Sequence, residues 1–181
     1  GGKVCLILIG FDKSILLNSD LIKAVSNGRI ILIEGGHKAD GSVNAPLDIS
    51  ELDKLIKNGF DEGESIAITS QFSVRNPNHE LVARKYIRSK LSIPITCSHE
   101  LTSNLNGPKR ALTCLLNAGL TSIIDQLLSD LETMLKENEL TCKLMVVKGD
   151  GSLINTNTAR LKPVETIMSG PAASSVGAVW L

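Results

Sequence analysis

The stretch DISELDKLIKNGFDEGESIAITSQFSVRNPNHELVARKYIRSKLSIPITC, Asp48–Cys97, decides the fold. Asp48 caps a helix predicted over Ile49–Lys57, with Leu52, Leu55 and Ile56 on one face and Asn58-Gly59 as its stop. Glu64–Ser70, with SIAITS at its centre, is an apolar strand. Asn76-Pro77 opens a second helix, Pro77–Lys90, whose apolar stripe is Leu81, Val82, Tyr86 and Ile87. Ile93–Cys97 is a further strand, which Pro94 keeps short or places near an edge. Helix, strand, helix, strand in succession argues for an α/β fold, a layered sheet with flanking helices and right-handed crossovers.

Upstream, Lys3–Ile9 is an apolar strand closed by Gly10, and Asp20–Val25 is a short helix ended by Asn27-Gly28. Arg29–Glu34 is a strand that Ala39-Asp40-Gly41 turns back as a hairpin, with Ser42–Ala45 returning. GGHKADG has the composition of a glycine-rich loop but precedes no helical pattern, and neither GxxxxGKS/T nor GxGxxG occurs.

Downstream, Pro108–Leu140 is the longest helical pattern. Its stripe of Leu112, Leu115, Leu116, Ile123, Ile124, Leu127, Leu131, Met134 and Leu135 reads as core, or as a docking face for another chain. On the core reading, Leu127→Asp should cost about 3 kcal/mol or more. Gly119 weakens the helix by about 1 kcal/mol relative to alanine and marks a place for a bend. Leu144–Val147 is predicted as a buried strand of the same sheet, ended by the Gly149-Asp150-Gly151 turn. Ser169–Ala178 is a helix with Pro171 in its first turn, Ser169 or Gly170 as its cap, and almost no bulk on one face. The sequence closes on apolar Trp180-Leu181.

The 181 residues suffice for one domain with a real core or for two small ones. Nineteen basic residues balance nineteen acidic ones, so no global field favours nucleic acid or an anionic membrane. No apolar run approaches the ~20 residues of a membrane span, and Val4–Ile9 is too short for a signal-peptide core. Aromatics are only 3%, which makes the core aliphatic and argues against a stacking platform for bases. Cys5, Cys97, Cys114 and Cys142 form no CxxC pair and fall in apolar strands or on helix faces. That pattern suits reduced, buried thiols of a cytoplasmic protein and gives no spacing for a metal site.

Few polar residues stand out. His37 reads as a solvated loop histidine and His79 as an exposed one in a first helical turn. His99-Glu100 follows a strand, where α/β sheets open their ligand crevices, although no nucleophile or second base accompanies it. Asn104 and Asn106 carry amides that either orient a substrate carbonyl or cap the long helix through Asx-turns. Asp150, a carboxylate between two glycines, is placed to approach a metal or attacking water, or is a plain turn aspartate. The catalytic candidates are therefore Asp150, His99 and Asn104.

KGDGSL (Lys148–Leu153) followed by RLKPVETIMSGPAASSVGA (Arg160–Ala178) resembles the hydantoinase/oxoprolinase family, A type. LTSNLNGPKRALTCLLNA, Leu101–Ala118, resembles the segment leading into that family's long central helix. GRIILIEGGHKADGSVNAPLD, Gly28–Asp48, resembles its hairpin before a PLD helix start. The resemblance implies an actin-like, sugar-kinase-like ATPase fold and ATP-dependent opening of a hydantoin or 5-oxoproline ring. It implies ATP and Mg2+ as cofactors and leaves room for a partner in the form of a second subunit. It makes the small residues Gly149, Gly151, Ser169, Gly170, Ala172 and Ala173 the cofactor-binding candidates, and the helix that carries SGPAAS a hinge between two lobes. The DxGGT-like phosphate loops of such ATPases do not occur in the sequence. The expectation is thus an internal fragment, truncated at both ends and inactive in isolation, with no ATP bound. Residues 1–100 would form an α/β domain and 101–181 the long helix, strand and connecting helix leading to the ATPase half. The other reading is a non-catalytic α/β scaffold or assembly module docking through the long helix.

Overall fold

The structure is a computed structural model that describes residues 2–17, 19–25 and 28–179. Its centre is strand β1, Val4–Ile9, buried along its whole length. Successive side chains of a strand point to opposite faces, so such a strand must be covered on both. Cys5, Ile7 and Ile9 enter one core; Val4, Leu6 and Leu8 enter the other. β1 pairs in parallel with β2 (Arg29–Ile33) on one side and with β3 (Ser65–Ser70) on the other. β4 (Ile95–Cys97) pairs in parallel with β3, so the order is β2-β1-β3-β4 and β4 is the edge foreshadowed by Pro94.

Helices close both faces. α1 (Ser19–Val25), through Leu21, and α4 (Gly107–Glu137), through Ala111, Cys114, Leu115 and Ala118, cover the Val4/Leu6/Leu8 side. α2 (Ile49–Lys57), through Leu52 and Leu55, and α3 (Asn78–Arg88), through Ala83 and Ile87, cover the other. The expected layered α/β sheet is present, doubly wound. Asp48 caps α2 as read, its Oδ1 accepting from the Ser50 N–H at 2.9 Å and the Glu51 N–H at 3.3 Å.

Several expectations are corrected. Gly28–Asp48 is not a hairpin: β2 runs parallel to β1, and Ser42–Ala45 contributes only an isolated bridge, His37 to Val43. Lys38 N–H donates to the Ser42 carbonyl at 2.8 Å and Asn44 N–H to that of Gly36 at 3.0 Å, which holds a narrow loop too short for a ladder. On α3, Leu81 and Val82 are exposed, and the buried face is His79, Glu80, Ala83 and Ile87. Polar residues on the inward face hid the true stripe. On α4, Leu116, Ile123, Leu127 and Met134 are exposed while Ala111, Cys114, Leu115, Ala118 and Leu128 are buried. Small side chains let the helix lie close on the sheet, and farther along Leu128 takes the inward position that the stripe gave to Leu127. α4 runs unbroken through Gly119, whose carbonyl accepts the Gly2 N–H at 2.9 Å. By length and composition α4 is apolar enough to cross a membrane, but its Ala111–Ala118 face is sheet core.

The chain divides into two compact units, Gly1–Gly119 and Leu120–Leu181, and α4 runs from one into the next. Leu144–Val147 does not join the main sheet. β5 (Met145–Val147) pairs antiparallel with β6 (Leu153–Asn155) in a separate, partly exposed hairpin whose turn is Gly149-Asp150-Gly151. Too few apolar residues flank β5 for burial on two faces. Asn155 caps α5 (Thr156–Leu161), accepting the Thr158 N–H at 2.8 Å. Arg160 on α5 grips α4, donating to Asp125 at 2.8 Å and to both Glu132 oxygens at 3.0 Å. α6 (Ser169–Ala178) is preceded by Met168 in the left-handed region (φ 65°), so Ser169 and Gly170 lie inside the helix instead of capping it. Cys5, Cys97 and Cys114 are buried free thiols, whereas Cys142 is exposed in the irregular segment between α4 and β5. Asn27 and the Trp180-Leu181 end lie outside the described residues.

Burial transfers the charge test to Leu128, which is 3% exposed against 50% for Leu127. Leu128→Asp should lower stability by about 3 kcal/mol or more, and Leu127→Asp by less than about 1 kcal/mol. Thermal unfolding of both variants checks this; equal losses would contradict the assigned face.

Candidate functional site

All four strands of the main sheet end on the same side, and β1 sends the chain one way to β2 while β3 sends it the other way to β4. The gap between the loops after β1 and β3 is therefore the topological switch point, where open α/β sheets bind ligands. A cleft of about 520 Å³ occupies it, lined by Phe11, Asp12, Ser14 and Ile15 after β1, Gln71 and Phe72 after β3, and Leu105, Gly107 and Pro108 at the start of α4. Phe11 lies so close to Gly107 that a Cβ there would meet the ring at 2.5 Å. Phe72 holds φ 54°, the left-handed region that costs a non-glycine residue about 1 kcal/mol and that gathers at functional sites.

Next to the cleft the strand ends are tied by one buried carboxylate. Glu80, fully buried on α3, accepts from the Ser70 N–H at 2.7 Å, the Ser98 hydroxyl at 2.6 Å, the His99 N–H at 3.1 Å and His99 Nδ1 at 2.5 Å. Burial pushes this carboxyl up, but hydrogen bonds from His99, Ser98, Ser70 and Ser73 outweigh it and hold it below the ordinary glutamate range. An ionised Glu80 only accepts, so His99 carries a proton on Nδ1. Arg110 on α4, 1% exposed, donates to the Ser70 carbonyl at 2.6 Å and to those of Asn104 and Leu105 at 3.1 and 3.2 Å. Burial pulls its pKa down, and the Glu80 charge offsets part of that. Glu80, Cys97 and His99 bring donor atoms within 4.8 Å of one another. Glu80 is already saturated with donors, and burial pushes the Cys97 thiol up to about 12, so the trio is a hydrogen-bonded anchor and does not fit a cation.

Two histidines depart from their sequence reading. His37 and His79 are buried, with ring centroids 4.3 Å apart, and the Gly36 N–H donates to His79 Nδ1 at 2.9 Å. Positive φ at Gly35 and Gly36 folds the loop back onto α3 and carries His37 inward. Both ring nitrogens of His37 lack a hydrogen-bond partner among the described residues, and burial lowers its pKa. His99 sits at the end of β4 as read. Asn104 is exposed, and its Oδ1 accepts the Asn106 N–H at 2.8 Å, an Asx-turn that shapes the loop into α4. Glu80, Arg110, Gln71 and Phe72 were not singled out; a glutamate three residues before Ala83 on an inward face was the available signal for the first.

In the second unit the structure brings the hairpin turn against α6. A Cβ on Gly149 would collide with the Ile167 carbonyl oxygen, and one on Gly151 would meet Val176 Cγ2 at 2.7 Å. These glycines are small because the chain's own backbone and α6 fill the adjoining space, so they do not fit a phosphate cradle. Asp150 Oδ1 accepts from Ser152 Oγ and N–H, and these bonds, with Lys148 Nζ 3.3 Å from Oδ2, hold the carboxyl down at about 2. Lys148 also reaches Glu165 at 3.2 Å. Ser169 and Ala172 are half-buried; Gly170 and Ala173 are exposed, and a Cβ on Gly170 would meet nothing within 4 Å.

Glu80→Gln should cost about 3 kcal/mol, because it removes the negative charge near the buried Arg110 and places amide hydrogens against donors. The depressed pKa makes Glu80 stabilising above the ordinary glutamate value of 4.5, with that contribution lost as pH falls through the lower folded-state value. Wild-type unfolding free energy should thus fall below pH 4.5 with a steeper slope than in the variant. Equal slopes and a loss under about 1 kcal/mol would contradict the anchoring role.

Two family models match, hydantoinase/oxoprolinase N-terminal region over residues 9–91 and hydantoinase/oxoprolinase over residues 110–181. The alpha chain of the caprolactamase of Pseudomonas jessenii is 28% identical over 149 residues, 81% of this chain and 20% of that protein. 5-Oxoprolinase 1 of Arabidopsis thaliana is 27% identical over 133 residues, 73% of this chain and 10% of that protein. The chain thus spans a fifth or less of these curated relatives. The crystal structure of the ATP-dependent caprolactamase from Pseudomonas jessenii superposes with a TM-score of 0.80 at 23% identity, covering 96% of this chain and 28% of that one, and shares its ATPase-like fold. The chain belongs to the hydantoinase/oxoprolinase family.

Proposed function

We propose that the whole protein is an ATP-dependent hydrolase that opens a cyclic amide of the hydantoin or 5-oxoproline type, and that this chain supplies part of it. The observation that carries the reading is the correspondence of fold with an ATP-dependent caprolactamase over 96% of the chain. The relatives named caprolactamase and 5-oxoprolinase support the class of substrate. His99 is proposed to move a proton at Nε2 while the buried Glu80 fixes its tautomer, the arrangement a proton-transferring imidazole needs. Asn104 is proposed to shape the rim of the same crevice.

ATP would supply activation of the amide oxygen. Gly149 and Gly151 are not assigned to it, since the chain itself fills the space beside them. Asp150, Ser169, Gly170, Ala172 and Ala173 are proposed instead as part of a surface against which another lobe packs. The exposed Ile123, Leu127 and Met134 favour a second reading for that half of α4, an assembly face for a second subunit. Three buried free thiols support a cytoplasmic setting.

Assayed with ATP and a panel of cyclic amides, the whole protein should release ADP in proportion to ring opened. His99→Gln should lower kcat about 100-fold without loss of folding. Residues 1–181 alone should show no micromolar ATP binding by calorimetry. ADP release by the whole protein that no cyclic amide stimulates, or micromolar binding by the isolated chain, would contradict this reading.

A further inference from the structure

The cleft at the switch point has a lining that selects for one kind of ligand. The chain has only three phenylalanines, and two of them, Phe11 and Phe72, line this cleft. An aliphatic protein that spends its aromatic residues at the mouth of a crevice presents flat apolar walls there. Three polar side chains, Asp12, Ser14 and Gln71, share the lining with them. The side-chain amide of Gln71 makes no hydrogen bond to any described residue, although its backbone N–H and carbonyl are both engaged, with Ile9 and His37. The Asp12 carboxylate is fixed by the Ser14 backbone N–H at 2.8 Å. A primary amide offers one donor and one acceptor side by side, which matches the C=O and N–H of a cis amide in a ring. A carboxylate at the same site adds an acceptor for a ring N–H and repels anions.

We propose that this cleft binds a small, uncharged ring through its planar cis-amide edge, held by Gln71 between Phe11 and Phe72. Hydantoins and simple lactams fit that description; a ring bearing its own carboxylate, such as 5-oxoproline at neutral pH, does not. The positive φ of Phe72 accords with this role, since a side chain kept in a strained backbone conformation is held there by something other than local preference. The inference rests on the proposed function only for the step from bound ring to substrate. Binding itself follows from the lining.

The test is a titration of the isotopically labelled 181-residue chain with hydantoin, ε-caprolactam, 5-oxoproline and cyclopentanone, followed by amide NMR shifts. Hydantoin and ε-caprolactam should perturb residues 11–15, 71–72 and 105–109 with a Kd of about 1 mM, which is what a ligand of about eight heavy atoms reaches. Cyclopentanone and 5-oxoproline should bind at least about tenfold more weakly, lacking the N–H or carrying the charge. Gln71→Leu should weaken hydantoin about tenfold. Phe72→Gly, which relieves the left-handed strain, should weaken it comparably while the melting temperature holds. The four-ligand ranking on the unaltered chain decides the matter even if a variant fails to fold. Shifts centred elsewhere, no saturable shift, or equal binding of cyclopentanone and hydantoin would overturn the assignment. Ring opening by the whole protein without ring binding here would sink the cleft and leave the hydrolase reading standing, and ring binding here without turnover would do the reverse.

Discussion

A strand buried on both faces sets the terms for everything in the first unit. β1 has no residue above 4% exposure, so each of its backbone hydrogen bonds must be made to a neighbouring strand and each face needs its own layer of helices. Parallel pairing on both edges satisfies the first demand, and helices distributed two to a face satisfy the second. The doubly wound order follows, and with it a switch point beside the end of β1. The crevice is a consequence of covering one apolar strand twice.

Polar groups gather where the apolar ones stop. β3 ends in Thr69 and Ser70, and the loops beyond it would leave several donors buried without acceptors. Glu80 meets that need with one side chain that accepts from two segments, the end of β3 at Ser70 and the turn after β4 at Ser98-His99, and Arg110 donates to three carbonyls. A buried carboxylate is tolerable only when so surrounded, and the same surroundings hold His99 in one tautomer. The network that ties the strand ends therefore also fixes the orientation of His99.

The element pattern was legible where short-range rules operate. Asp48, Asn58-Gly59 and the SIAITS run marked α2 and β3 because capping and β-branched runs act locally. The resemblance carried by KGDGSL and SGPAAS pointed to the right family and fold. Misreadings arose where tertiary contacts choose between faces. His79 and Glu80 face inward on α3 because the Gly35-Gly36 loop and the end of β4 supply their partners, and no periodicity of apolar residues reports that. Leu127 and Leu128 are both leucines on one helix, and only packing tells them apart. β5 looked like a sheet strand because three apolar residues fit either a core strand or a half-exposed hairpin.

Native-state hydrogen exchange of single amides examines most directly the claim that Glu80 locks the strand ends. If it does, the Ser70 and His99 amides, which donate to its carboxylate, should exchange as slowly as those of β1, through global unfolding alone. Exchange at Ser70 and His99 as fast as in the exposed turn at residues 38–41, with β1 still protected, would contradict it.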